Sequence, residues 1–330
     1  MTDAVAAFGP VVASRLVDVT NDLAALDSAG FWAVAVSYDG KVACARFADV
    51  RRGQLACGPW SGPPRAAWST SLDRLAYIER VHRVRELIAA GEVYQVNVCR
   101  VLSAPLRGRP DLRPLGAELT RRHRSPYAAT VHLPDHDVSV ASASPERFIA
   151  RDGDRVWCEP IKGTAATRDG FLAKDYAENV MIVDLMRNDL TKVADISSID
   201  VTRLCEVEAH PGLFHLVSRV EARLRPDCGW SEIFAAAFPP GSVTGAPKSA
   251  ALRAIDELEP VSRGLYCGAV GWVDANRRRA DIAVSIRTFW AEGEQLLFGT
   301  GAGITWSSDP DAEWSETELK AARLLDVASS

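Results

Sequence analysis

In the stretch WCEPIKGTAATRDG, Trp157 to Gly170, a single lysine stands between a Pro-Ile pair and a Gly-Thr pair. Pro160 fixes its own φ and Gly163 frees the next bend, so the chain presents the Lys162 amine in a shaped loop. Such an amine is either a solvated turn lysine or a group held for chemistry. Glu146, in ASASPERFI, follows a Ser-Pro pair and precedes Lys162 by sixteen residues, which lets two adjacent strands bring acid and amine together. Near the C-terminus, DPDAEWSETELKAARLL places Glu313, Glu316 and Lys320 at i, i+3 and i+7, within about 60° of one helical face. One reading is a solvated helix with a Glu316–Lys320 pair; the other is a divalent cation on oxygen ligands beside an amine that receives an anion. Glu178, near the start of an apolar helix, supplies a further carboxylate that is expensive to bury unless paired or metal-bound. Hard oxygen ligands without a histidine cluster point to magnesium rather than zinc.

Other stretches narrow the chemistry. Arg287, in DIAVSIRTF, is a cation in apolar company, either pairing at a sheet edge or binding an anion. His215, in GLFHLVSRV, is a strand histidine that is either catalytic or bonded to a backbone carbonyl. FGTGAGITW is not a dinucleotide-binding fingerprint, and its glycines predict a close backbone approach with amides free for a carboxylate. GSVTGAPKS fails as a phosphate loop because Ala246 replaces the second glycine and Pro247 separates it from Lys248. Pro247 suits the first turn of a helix whose N-terminus can hold an anion. No GxSxG elbow is present, which argues against a serine hydrolase.

The elements that position these residues are mixed. With 330 residues, 47% of them hydrophobic, the chain can bury a substantial core. A net charge of -5 with interspersed signs offers no stripe for nucleic acid, and no apolar run spans a bilayer, so a cytosolic protein is expected. Seven scattered cysteines without a CxxC pair read as reduced, mostly core residues. A hairpin turns at Asp39-Gly40; a helix with Leu75, Ile78, Val81, Val84 and Ile88 on one stripe follows, capped by Ser or Thr before and Gly91 after. The segment KDYAENVMIVDLMRNDLTKVA predicts a helix buried over most of its circumference. Helices recur at Trp230–Phe238, Lys248–Glu259 and from Pro310. Strands and helices lack a regular βαβ period, which fits α+β.

Taken together these stretches resemble the chorismate-utilising enzymes, the family containing anthranilate synthase, isochorismate synthase and aminodeoxychorismate synthase. The likeness runs in order from about Tyr94 to the C-terminus, through YQVNV, SPERF, PIKGT, AENVMIVDLMRNDL, FHLVS, FPPGSVTGAPKSAALRAIDELEP, YCGAVGW, IRTF, GAGI and EWSETELKA. It implies an α+β anthranilate-synthase-like fold: two large, mostly antiparallel β-sheets packed as a sandwich with helices outside. One chorismate-binding domain is expected over 1–330, with a truncated N-terminal region at 1–64 and a catalytic core at 70–330. The N-terminal region shows no clear tryptophan-pocket motif.

The resemblance also implies roles. Members that add water to chorismate carry a lysine where this chain has Gln95, and anthranilate synthases read Pro-Ile-Ala-Gly-Thr where this chain reads PIKGT. Lys162 therefore resembles the nucleophile of the aminodeoxychorismate synthase branch, with Glu146 as general acid and an amine pKa lowered by magnesium and partial burial. Glu178, Glu313 and Glu316 would hold Mg2+. Arg287, Tyr266, Lys320 and the backbone near Gly303 would bind the enolpyruvyl carboxylate, and Ala246 the ring carboxylate, with Gln95 and Thr164 also touching substrate. His215 matches a histidine linked to pyruvate elimination in the anthranilate branch. The implied partners are chorismate and ammonia, a separate glutamine amidotransferase subunit, and a downstream aminodeoxychorismate lyase. An anthranilate synthase component, an amination that leaves nitrogen at C2, and a non-catalytic chorismate-binding scaffold are the rivals.

Overall fold

A run of alternating apolar residues becomes a strand when every second side chain has a core to enter. The computed structural model describes residues 4–330 apart from 109, 124, 166, 211 and 212; the side chains of 164, 210 and 213 are also outside the described set. Among these residues eighteen strands form one continuous antiparallel ribbon. Its first limb runs, by hydrogen-bonded neighbours, through β6 (Gln95–Pro105), β18 (Gln295–Ile304), β17 (Thr288–Glu292), β8 (Val138–Ser144) and β7 (Tyr127–Leu133). The N-terminal hairpin of β1 (Val5–Phe8) and β2 (Val11–Thr20) carries the ladder round, since β1 pairs with β7 and β2 with β4 (Val42–Arg52). The second limb continues from β4 through β3 (Phe31–Val36), β15 (Ala269–Asp274), β16 (Arg279–Val284), β9 (Arg147–Asp152), β10 (Arg155–Glu159) and β13 (Leu213–Arg223). Both β11 (Ile161–Ala165) and β12 (Asp200–His210) pair with β13, while β5 (Ser69–Thr70) and β14 (Gly245–Ala246) add to β6.

The expected pair of sheets is thus present as two limbs of a single ribbon. Phe8, Val131 and Val140 of one limb share a buried cluster with Val34, Val270 and Ile282 of the other, which is the sandwich core. Outside it, α2 (Arg113–Arg122) and α6 (Pro310–Ala328) cover Leu102, Phe289 and Phe298, and α1 (Arg74–Ala89) and α5 (Lys248–Leu258) cover Val96, Val98 and Ile304. On the remaining side, α3 (Ala173–Thr191) and α4 (Trp230–Ala237) bury Ile182, Val183, Ile233 and Phe234. No described helix is long and apolar enough to cross a membrane.

Local details differ from the sequence expectation where two apolar faces compete. In α1 the buried stripe is Tyr77, Val81, Val84 and Leu87, and Leu75 is 74% exposed. Asp73, not a Ser or Thr, caps the helix by accepting from the Ala76 amide at 2.8 Å. Helix α3 buries one face only: Val180 is exposed, while two polar residues, Asn179 and Asp189, lie inside. Asn179 is tolerated there because it donates to the Leu216 carbonyl at 3.2 Å and accepts from Ser218. The strand expected through Arg287 is broken between β16 and β17, with Arg287 at φ 50°. Five of the seven cysteines are buried, Cys205 is partly so, Cys57 is exposed, and all are free thiols.

The glycines of β18 do allow close approach: of the Val98 backbone carbonyl at Gly301, and of side chains at Gly299 and Gly303. A Cβ at Gly299 would lie 2.0 Å from Tyr266 Cγ. Gly299→Ala is expected to cost about 1–3 kcal/mol through overpacking, read as a lower urea midpoint with an unchanged m-value.

Candidate active site

Lys162 is aimed by its strand. The pairing of β11 with β13 shifts register between Lys162 and Thr164, and Gly163, at φ +80°, carries the irregularity. A bulge of this kind turns a side chain out of the regular alternation. The amine reaches two partners, donating to the Ser242 carbonyl at 3.0 Å and pairing with Glu178 Oε1 at 3.1 Å. Burial lowers the amine as expected from sequence, but the two carboxylates that face it, Glu178 and Glu146, outweigh burial and hold it above its ordinary pKa, towards its ammonium form. Glu178 feels the reciprocal effect, with burial opposed by Lys162 and Gln95, and lies below the usual range.

Around this pair the two ends of the ribbon meet. Gln95, the first residue of β6, donates from Nε2 to Glu178 Oε1 at 2.8 Å. Gly303 leaves room for that contact, since a Cβ there would sit 2.2 Å from Gln95 Nε2. Lys320, on α6, donates to the Gly301 carbonyl at 2.9 Å and pairs with Glu316 at 2.6 Å. Glu146 is 5% exposed in the turn between β8 and β9. Burial lifts its carboxyl above the ordinary value, partly offset by the charges of Lys162 and Lys320. Three buried polar atoms, Glu146 Oε1, Gln95 Oε1 and Ser242 Oγ, have no hydrogen-bond partner among the described residues. Buried polar groups are nearly always satisfied, so orphans gathered around one amine mark a place for a polar ligand.

The other expected residues are placed less tightly. Ala246 pairs with Gln95 in β14, and its carbonyl accepts from the Tyr94 amide at 2.7 Å. Tyr266 lies against Gly299, and its electrostatic neighbours are Cys99, Cys267 and Arg263. Burial raises its hydroxyl well above the normal range, which keeps it a neutral donor. His215 is buried on β13 opposite the Thr164 backbone; the Thr164 side chain lies outside the described residues. Glu313, Glu316 and Glu178 are not gathered: no group of three histidine, cysteine, aspartate or glutamate residues stands close enough to hold a metal among the described residues. Glu178 and Glu316 are held by lysines instead, while burial raises Glu313, which has no cationic ion-pair partner among the described residues.

Arg287 is half-buried with no carboxylate partner among the described residues, and burial alone pulls it below its ordinary value. A desolvated cation at a strained φ is costly unless an anion comes to it. Arg287→Gln is expected to raise the KM for an anionic substrate by about 10- to 100-fold, the worth of a charge-assisted hydrogen bond, with a smaller change in kcat; steady-state kinetics measure this.

Ser242 is not among the residues the sequence singles out in GSVTGAPKS, where Ala246 and the helix start at Pro247 are the candidates. A cleft of about 770 Å3 lined by Phe31, Phe47, Trp272 and Arg46 shares no residue with the Lys162 cluster.

Residues 43–326 match the model of the chorismate binding enzymes. The chain belongs to that family. The aminodeoxychorismate synthase component 1 of Salmonella typhimurium is 38% identical, over 79% of this chain and 59% of that protein. The anthranilate synthase component 1 of Streptomyces coelicolor is 37% identical, over 88% of this chain and 60% of its own length. The chain thus spans roughly 60% of the length of these curated relatives. Two solved chorismate binding enzymes share the fold: the anthranilate synthase component I of Streptococcus pneumoniae, with TM-score 0.81, 22% identity and coverage of 98% of this chain and 93% of that one, and the menaquinone-specific isochorismate synthase of Escherichia coli, with TM-score 0.80, 18% identity and coverage of 99% and 89%.

Proposed function

We propose that this chorismate binding enzyme aminates chorismate at C4, giving 4-amino-4-deoxychorismate. The observation that carries the reading is the Lys162 amine fixed between Glu178 and the Ser242 carbonyl, beside the buried Glu146 carboxyl. Relatives named aminodeoxychorismate synthase component 1, at 38–40% identity, support it.

Lys162 first gives its proton to Glu178, whose Oε1 lies 3.1 Å from the amine. Its nitrogen lone pair then bonds to ring C2, the ring double bonds shift, and the C4 oxygen leaves as water with the proton from Glu146. Ammonia next bonds to C4, the double bonds shift back, and the C2–Nζ bond breaks to return the lysine; the new C4 ammonium gives a proton back to Glu146, and Glu178 returns one to Lys162. The sum is chorismate plus ammonia to aminodeoxychorismate plus water, with nitrogen para to the ring carboxylate. Arg287 and Lys320 bind the carboxylates of the dianion.

The family resemblance assigns Mg2+ to Glu178, Glu313 and Glu316, but among the described residues these carboxylates do not stand together as a ligand set, so no step is routed through the metal. A glutamine amidotransferase partner supplies the ammonia, and a lyase converts the product to p-aminobenzoate for folate synthesis in the cytosol.

The test is product analysis by mass spectrometry with chorismate, magnesium and excess ammonium at mildly alkaline pH, with and without an added aminodeoxychorismate lyase. An aminated chorismate that keeps its enolpyruvyl group, and that the lyase turns into p-aminobenzoate, supports the reading. Anthranilate with free pyruvate refutes it in favour of the other branch.

A further inference from the structure

The cradle of Lys162 is built from two elements that are not consecutive: Glu178 belongs to α3, and Ser242 to the segment 238–247 between α4 and α5. Something must fix the gap between them to a fraction of an ångström. The middle of the segment is tied to the first limb, because the Asn97 amide donates to the Thr244 carbonyl at 2.7 Å and Arg263 donates to the Val243 carbonyl at 2.9 Å. Neither contact reaches α3.

The ties to α3 lie at the two ends of the segment. Lys248, the first residue of α5, donates to Asp189 Oδ2 at 2.5 Å and to the Ala237 carbonyl at 3.1 Å. Asp189, 4% exposed, is on α3 three turns after Glu178. Lys192 donates to its other oxygen and to the Ala236 carbonyl, both at 3.3 Å. The last carbonyls of α4 carry the negative end of that helix, where cations are favoured. Gly241 completes the contact: a Cβ there would lie 2.5 Å from Leu185 Cδ2, so the segment sits directly on α3.

We propose that Lys248 and Asp189 form a clamp that sets the distance between Glu178 and the Ser242 carbonyl, and so act as positioning residues for the Lys162 amine. The proposal rests on Lys162 being the reacting group. A buried, charge-assisted pair is stiff, and misplacing a reacting group by about 1 Å costs on the order of 10²-fold in rate. Substrate binding depends on other residues, so the effect falls on kcat.

The full chain carrying Lys248→Met, Asp189→Asn or Lys248→Arg is compared with the unaltered chain by steady-state kinetics with chorismate and ammonium, and by hydrogen exchange of peptides covering 238–247. Lys248→Met is expected to lower kcat by about 10- to 100-fold with KM within about threefold, and to speed exchange at 241–246 while β13 peptides stay unchanged. Asp189→Asn is the milder variant should Lys248→Met fail to fold, and is expected to show the same pattern at smaller amplitude. Lys248→Arg, which keeps the pair, is expected to restore kcat to within about fivefold. A lower melting temperature with kcat unchanged overturns the proposal in favour of a purely stabilising pair. A fall in kcat without faster exchange at 241–246 also overturns it. If the unaltered chain makes no aminated chorismate, the functional reading falls while the exchange data still decide the clamp.

Discussion

Lys162→Ala is expected to lower formation of C4-aminated chorismate by at least about 10³-fold, and any amination that persists places nitrogen at C2. The amine is held at 3.0 and 3.1 Å by the Ser242 carbonyl and Glu178, and the three orphaned polar atoms around it leave it facing a ligand rather than a filled core. Without the amine, ammonia can attack only directly, and direct attack does not deliver the para product. Lys162→Arg separates the two services the side chain could render. Arginine keeps the positive charge opposite Glu178 but does not lose its proton in a protein. It should therefore preserve chorismate binding within about tenfold and still form no para product. Mass spectrometry of the quenched reaction reads both variants, and retention of the C4 product by Lys162→Arg would show that the residue acts as a cation only.

Glu146→Gln is expected to lower kcat by about 10²- to 10⁴-fold while making the protein more stable at alkaline pH. The amide keeps the shape but has no acidic proton to give the departing hydroxyl. The stability change follows from linkage. Burial raises the folded-state pKa of Glu146 above its ordinary value of 4.5, so the carboxylate form penalises the native state. Below pH 4.5 the group is protonated folded and unfolded, and its contribution is fully present; as pH rises through the folded pKa, that contribution is lost. Glutamine carries no such loss. The variant should gain about 0.5–2 kcal/mol at pH 8, with the gap closing as pH falls towards 4.5, measured by urea unfolding across pH. A gain independent of pH would place its origin outside this carboxyl.

Much of the site was legible because each residue type carried its chemistry in a short stretch. The Pro-Ile-Lys-Gly-Thr turn presented an amine, and the structure shows why: Gly163 adopts a φ that strains any other residue, and the strand slips by one at that point. The pairing of Glu316 with Lys320 followed from helical periodicity alone. Other parts were not legible. Arg287 reads as part of an alternating strand, yet the ladder breaks there, since Ser285 and Ile286 leave the pairing of β16 before β17 begins. On α1 two apolar registers compete, and packing against Val96, Val98 and Ile304 buries Tyr77, Val81, Val84 and Leu87 while Leu75 stays exposed. Ser242 carries no signal at all in isolation, because it is used through its backbone carbonyl.

The sequence by itself determined the family, the local conformations around Lys162 and Gly303, and the set of acids and cations available, since periodicity, proline and glycine act over a few residues. The tertiary structure alone decided the charge state of the amine and its partners. Gln95 opens β6 near one end of the ribbon, and Lys162 lies on β11 at the other. Only when the ribbon folds back on its core do Gln95 and Glu178 reach the same oxygen, and does Glu146 lose its water. Charge and desolvation act over distances that folding sets, and for that reason the raised amine and the raised acid could not be read from the order of residues.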